Sequence, residues 1–212
     1  ALSYWKQLVS VAKGASGQDA QMREEALRDM VYAFAELKMI DEAIGYYRAN
    51  GGAQYIGPFL ILLAQILSDQ GAYAQAVSVL KRFQSIAPND PEGANAQKEI
   101  ISLYAALATM KSVWIELERY AQKYGVGSEW AKTNKKDLVV ETQAEIKDQM
   151  MYYATLTHQN AIKDDNRVLN LEAKTGYLLF LKYYPKAREV PGVKFYLADI
   201  EYYLKDYKAA GR

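Results

Sequence analysis

Apolar residues recur at helical spacing along nearly the whole chain, and this feature constrains the fold most strongly. In the clearest case, Leu60, Leu63, Ala64 and Leu67 fall at i, i+3, i+4 and i+7, on one face of a helix. No alternation of apolar and polar residues persists for more than a few positions, so strands are not predicted. The sequence therefore predicts an all-α fold.

The helix around Leu60 is followed by a turn and a second helix, which together predict an antiparallel hairpin. Gly71 suits the left-handed position that closes a helix without a steric penalty at Cβ. Pro88 ends the second helix because proline has no amide proton to continue the hydrogen-bond ladder. The second helix has its apolar face on Ala76, Val77, Leu80 and Phe83.

This hairpin, residues 57–90, resembles a tetratricopeptide repeat (TPR). That family has a small residue in the first helix, a glycine in the turn, an aromatic and a small residue in the second helix, and a proline after it. Here these residues are Ala64, Gly71, Tyr73, Ala76 and Pro88. The resemblance implies a right-handed superhelical α-solenoid of TPR-like helix hairpins, with a concave groove that binds partner segments.

Weaker copies of the hairpin are predicted at residues 24–57 and at about 95–127, in a segment that ends at Pro185, and around Ala198, Tyr207 and Ala210. Residues 129–163 predict one extended helix or a helix pair. We therefore expect N-terminal TPR-like repeats in residues 1–127. Residues 128–212 are expected to hold the long helix or helix pair and C-terminal TPR-like repeats, truncated within the last repeat. The chain is expected to be a piece of a longer protein.

Residues 150–210 carry a narrower resemblance, on the segments 151–154, 158–161, 177–185 and 195–200. They are similar to bacterial envelope TPR proteins of deltaproteobacterial type. This resemblance implies a role in a motility machine or in outer-membrane or surface assembly. It favours a periplasmic location for the protein, and a cytoplasmic location is the alternative.

Composition argues against some kinds of catalytic chemistry, and a Ser-His-Asp triad would depend entirely on His158. The chain has no cysteine and a single histidine, His158, so thiolate sites and multi-histidine metal sites are not expected. The glycines at 125–127 predict a loop, and residues 164–166 predict a turn with a helix cap. The 26 basic and 25 acidic residues give no signal for nucleic acid. We expect no enzyme activity, no cofactor, no metal and no transmembrane segment.

Tyrosine is abundant, with 18 residues, and it forms four doublets. Adjacent helical residues point about 100° apart, so one member of each doublet is expected to pack and the other to face outward. Packing between helices explains most tyrosines, because the ring is buried while the hydroxyl reaches water. The exposed tyrosines leave a carbohydrate-binding or peptide-binding interpretation open. The doublets are 46–47, 152–153, 183–184 and 202–203.

The TPR resemblance also implies which residues line the partner groove, because the first helix of each repeat faces it. The carboxylate clamp of lysine and asparagine residues known in the family is not matched. The leading hypothesis is a non-enzymatic scaffold that binds a partner protein or peptide. The alternatives are a glycan-binding or glycan-processing module and a structural spacer of a larger protein. The expected groove residues are Arg28, Tyr32, Glu36, Gln65, Ser68, Asp69, Glu99, Leu103, His158, Phe195, Asp199 and Tyr202.

Overall fold

The computed structural model describes residues 2–50 and 53–205, and every regular element in this part of the chain is an α-helix. The all-α prediction is therefore confirmed. The chain forms two compact units, Ala1–Leu107 and Ala108–Arg212. The predicted positions Tyr207 and Ala210 of the last copy lie outside the described residues.

The first unit consists of helices that pack on their neighbours along the chain. Helix α4 packs against α5 and α2, and α5 packs against α6. The predicted hairpin at residues 57–90 is confirmed as α4 and α5, although α4 begins earlier than predicted. The helices are α1 (Leu2–Val11), α2 (Gln18–Glu36), α3 (Ile40–Asn50), α4 (Ala53–Asp69), α5 (Tyr73–Ile86) and α6 (Gly93–Ala106).

Helices α4 and α5 pack against each other, and each carries a small residue of the repeat pattern in its buried face. Ala64 on α4 and Ala76 on α5 are both buried, as the repeat pattern predicts. Larger side chains fill the space around this contact, including Phe83 and Leu80 from α5. Because burial of such side chains contributes about 1.5–3 kcal/mol each, this core stabilises the first unit.

The first helix of three hairpins ends in the same backbone motif. Lys38, Gly71 and Asp165 have positive φ angles of 54°, 72° and 46°. In each turn the amide of the following residue donates to the carbonyl five residues earlier, which is the Schellman arrangement. The predicted left-handed position of Gly71 is thus confirmed, and two non-glycine residues share it. The donor–acceptor pairs are Met39–Phe34 (3.0 Å), Ala72–Leu67 (2.8 Å) and Asn166–Ala161 (2.9 Å).

The second unit is built around a long helix, α9, which packs along α10 and also contacts α7. The predicted helix pair is observed as α8 and α9, separated by extended backbone at Asn134 and Lys135. The predicted cap in residues 164–166 is confirmed, because Asn166 Oδ1 accepts from the amides of Val168 and Leu169. The helices are α7 (Met110–Tyr124), α8 (Glu129–Thr133), α9 (Lys136–Lys163), α10 (Arg167–Tyr183) and α11 (Val190–Tyr203).

The division between the two compact units falls between Leu107 and Ala108, whereas the sequence placed a division between repeats at residues 127 and 128. Helix α7 belongs to the second unit because it packs against α9 and α10. The loop after α7 is also fixed within that unit. Gln143 Nε2 donates to the Tyr124 carbonyl at 3.0 Å, and the ring of Tyr124 lies 5.3 Å from that of buried Trp130.

Trp114 of α7 occupies the place where the repeat pattern has a small residue, and smaller neighbours compensate. Trp114 is buried, and Gly176 on α10 leaves room for its ring. A Cβ atom at Gly176 would lie 2.5 Å from Trp114 Cη2 and 3.0 Å from the Cβ of Ala154. At this contact the large residue therefore lies on α7 and the residue without a side chain lies on α10.

The tyrosine doublets divide into three kinds. Tyr47 and Tyr153 are buried while their neighbours are more exposed, as predicted. The doublet at 183–184 is partly buried at both positions. Tyr202 and Tyr203 are both exposed, which the prediction did not allow for. This last doublet lies at the C-terminal end of α11.

Candidate functional site

A groove between α4 and α6 is the candidate functional site of the first unit. It encloses about 320 Å³, and the small buried side chains Ala64 and Ala96 form part of its lining. Polar side chains line it from both helices. From α4 these are Gln65, Ser68 and Asp69, and from α6 and the residue before it they are Glu92, Asn95 and Glu99.

Helix geometry explains why these side chains converge. Gln65, Ser68 and Asp69 fall at i, i+3 and i+4, so the last turns of α4 present them on one face. Asn95 and Glu99 fall at i and i+4 on α6. Four residues of the predicted groove, Gln65, Ser68, Asp69 and Glu99, therefore line one cavity.

The groove is acidic. Asp69, Glu92 and Glu99 are exposed carboxylates, and the lining contains no lysine or arginine. Asn95 Nδ2 donates to Glu92 Oε2 at 2.9 Å, which fixes one carboxylate against α6. A groove with this charge attracts a cationic segment and repels an anionic one.

Helix α2 presents a second row of predicted residues. Arg28, Tyr32 and Glu36 are all exposed, and Tyr32 has 52% of its surface accessible. Gln70 follows the last residue of α4, and its Nε2 donates to Glu36 Oε1 at 2.9 Å. Arg28 lines a separate cavity of about 160 Å³ with Phe59 and other residues. The α2 row is accessible but lies outside the acidic groove.

Leu103 does not line a groove, which is a correction to the prediction. Its side chain is 3% exposed and belongs to the core of the first unit. Leu103 lies three residues after buried Ile100, so both side chains project from the inward face of α6. The position of Leu103 in the repeat pattern predicts a side chain that faces the groove, whereas the spacing of apolar residues along α6 predicts one that faces the core.

In the second unit, His158 lies in a polar and aromatic cluster. It is 4% exposed, with the ring of Tyr177 at 5.8 Å and that of Tyr196 at 5.9 Å. Burial lowers the pKa of His158, and the nearby Asp199 carboxylate opposes this effect. Tyr177 is buried, which raises its pKa to about 12. The lowered pKa of His158 favours the neutral imidazole at pH 7.

A cavity of about 430 Å³ opens beside His158. Asp199 and Tyr202, two further predicted residues, line it with His158. Phe195 is 70% exposed on the same helix but does not line this cavity. The prediction missed the other lining residues, which are Ile162, Asn170, Tyr203 and Lys205.

The spacing of residues along α6 could have identified some of the cavity-lining residues that the prediction missed. Glu92 and Asn95 precede Glu99 at seven and four positions, so extending the exposed face of α6 backward finds them. Asn170 and Tyr177 lie on α10, which the repeat pattern assigns to packing. Their presence near the cavity depends on how α10 packs against α9, and no local pattern encodes that.

Compared with known proteins, the chain matches no protein-family model and no curated protein. Among the described residues, no helix is long and apolar enough to span a membrane. The same residues contain no group of three or more His, Asp or Glu side chains placed to hold a metal ion.

Proposed function

We propose that this chain is a non-enzymatic scaffold that binds a basic segment of a partner protein in the acidic groove between α4 and α6. One observation carries the proposal. Four of the twelve residues assigned to partner binding from the repeat pattern, Gln65, Ser68, Asp69 and Glu99, lie around this one cavity, and carboxylates dominate its charge. The groove is open along a helix pair, which suits an extended peptide.

The proposal includes a TPR-type arrangement within each unit. It is supported by the α4–α5 hairpin, by the buried small residues between its helices and by the shared Schellman turns. We propose further that the hairpins stack as a right-handed superhelical α-solenoid. In such repeats each hairpin contacts its neighbours, and the first helices form the binding surface.

For the cellular setting, we propose a bacterial envelope assembly such as a motility or surface-assembly machine, in the periplasm. The support is the sequence resemblance of residues 150–210. Fractionation of source cells with an antibody to this chain tests the compartment. Recovery with the osmotic-shock fraction is expected, and recovery with the cytosol contradicts the periplasmic assignment.

Fluorescence anisotropy with labelled, blocked oligolysine and oligoglutamate peptides tests the groove. The oligolysine peptide is expected to bind saturably, and the oligoglutamate peptide is not. The double substitution Asp69→Asn/Glu99→Gln removes two exposed charges. It should weaken oligolysine binding roughly twofold to thirtyfold, at about 0.2–1 kcal/mol for each charge.

The matched control is Asp137→Asn/Glu141→Gln, which removes the same two charges from exposed positions on α9. It should leave oligolysine binding unchanged. Equal weakening by both double variants would show that net charge, not the groove, attracts the peptide. Absence of saturable binding to either peptide would favour the structural-spacer alternative.

A further inference from the structure

The cavity beside His158 in the second unit has features of a ligand site that the acidic groove does not share. Two of its lining side chains, His158 and Asn170, are polar and more than nine-tenths buried. The exposed doublet Tyr202 and Tyr203 lies at the same cavity. It is the doublet in which neither ring packs inward.

Tyr177 and Thr155 lie next to His158 and influence which imidazole nitrogen carries the proton. The Thr155 hydroxyl hydrogen-bonds to the phenol oxygen of Tyr177, which opposes the burial that raises the pKa of Tyr177. The Tyr177 hydroxyl lies 3.4 Å from His158 Nδ1. With Thr155 as donor to Tyr177, the Tyr177 proton is directed to Nδ1. A neutral imidazole that accepts at Nδ1 carries its proton on Nε2.

The Nε2 proton has an incomplete interaction. Nε2 lies 3.7 Å from Asp199 Oδ2, which is longer than a hydrogen bond. A hydroxyl group about 2.8 Å from both atoms fits this separation. It would accept from Nε2 and donate to the carboxylate. A group that both donates and accepts satisfies the pair, whether it is a water molecule in the free protein or a ligand hydroxyl that replaces it.

The tyrosines supply an apolar surface beside this polar pair. Tyr202 is 67% exposed, and Tyr203 is held in place because its hydroxyl donates to Asp165 Oδ1 at 2.7 Å. Aromatic rings offer flat apolar faces with a polar tip. The C–H face of a sugar ring packs against such a surface while its hydroxyls reach polar groups at the edge.

We propose that this cavity is a saccharide-binding site, in which a sugar hydroxyl bridges His158 Nε2 and Asp199 while the ring packs against Tyr202. The site lies within the second unit. It is independent of the peptide groove in the first unit, so either proposal can fail without the other.

The single histidine makes the test direct, because the imidazole signals of the intact chain belong to His158 alone. Long-range ¹H–¹⁵N NMR spectra identify its tautomer and follow it during titration. The probes are glucose, galactose, mannose and N-acetylglucosamine, each to about 100 mM, with glycerol as a control polyol. We expect the free protein to show the Nε2-protonated form. At least one sugar should shift these signals saturably, and glycerol should not.

Two exposed side chains provide variants that keep the fold. Asp199→Ala should weaken sugar binding roughly tenfold or more because it removes a charged acceptor. Tyr202→Ala should weaken it by removing the packing surface. Tyr152→Ala is the matched control, since Tyr152 is similarly exposed on α9 but does not line this cavity. Circular dichroism checks that each variant is folded.

Three results would overturn the proposal. The first is an Nδ1-protonated imidazole in the free protein. The second is the absence of saturable shifts with all four sugars. The third is a response that Tyr202→Ala and Tyr152→Ala reduce equally.

Discussion

The turn between α2 and α3 provides a quantitative test of the repeat architecture. Lys38 occupies the left-handed position that Gly71 occupies in the next hairpin, with φ angles of 54° and 72°. The two turns also share their backbone hydrogen bonds. If they are equivalent, Lys38→Gly relieves backbone strain and should stabilise the first unit.

The magnitude follows from two opposing effects. The left-handed conformation costs an L-residue about 1–2 kcal/mol. Glycine loses about 0.5–1 kcal/mol more than alanine in chain entropy on folding. The Lys38 side chain is exposed, so its removal sacrifices little packing. The net expectation is a stabilisation of about 0.5–1 kcal/mol, or roughly 2–6 °C in Tm for a unit of this size.

Thermal and urea unfolding followed by circular dichroism at 222 nm measure this change. The matched control is Gln75→Gly, at an exposed position inside α5. There glycine relieves no strain and should destabilise the unit by about 0.5–1 kcal/mol. Gly71→Ala should also destabilise the unit, because alanine is strained at the positive φ of this position. No atom lies near the added Cβ, so backbone strain is the only effect expected. Equal destabilisation by Lys38→Gly and Gln75→Gly would refute the equivalence of the turns.

Three other expectations follow from the described contacts. Gly176→Ala should destabilise the second unit by about 1–3 kcal/mol in urea unfolding because its Cβ would overlap Trp114. Gly192→Ala on α11 is the control and should not destabilise the unit, because its added Cβ meets no atom. Comparable losses of stability in both variants would contradict the contact between Gly176 and Trp114. Burial lowers the pKa of His158 below its value of 6.5 in the unfolded chain, so the unfolded state binds more protons below about pH 6.5. The free energy of unfolding should therefore fall as the pH decreases from about 6.5 toward the pKa of His158 in the folded protein. His158→Gln should remove this contribution to the pH dependence of stability. An unchanged pH dependence in this variant would contradict a buried His158 with a lowered pKa. Oligolysine binding should weaken steeply between low and high salt, and binding independent of salt would argue against an acidic groove.

The sequence alone was sufficient to predict the elements that depend on neighbouring residues in the chain. Helical spacing predicted the helices, and Gly71 identified one turn because glycine tolerates a positive φ without strain. The equivalent positions Lys38 and Asp165 carry no such signal. Their left-handed backbone is therefore known only from the structure.

The groove was predictable to the extent that helix faces were predictable. Gln65, Ser68 and Asp69 follow from one turn of α4, whereas Leu103 required knowing which face of α6 packs inward. The cluster around His158 depends on α9, α10 and α11 meeting at one point. That meeting is a tertiary property, so Asn170 and Tyr177 could not be assigned to it from the chain alone.

Chemical-shift mapping of the ¹⁵N-labelled chain during titration with the oligolysine peptide tests whether the groove between α4 and α6 binds a basic segment. We expect saturable shifts concentrated at Gln65, Ser68, Asp69, Asn95 and Glu99, with the exposed face of α9 unaffected. Shifts spread evenly over exposed carboxylates, or centred outside this groove, would contradict it.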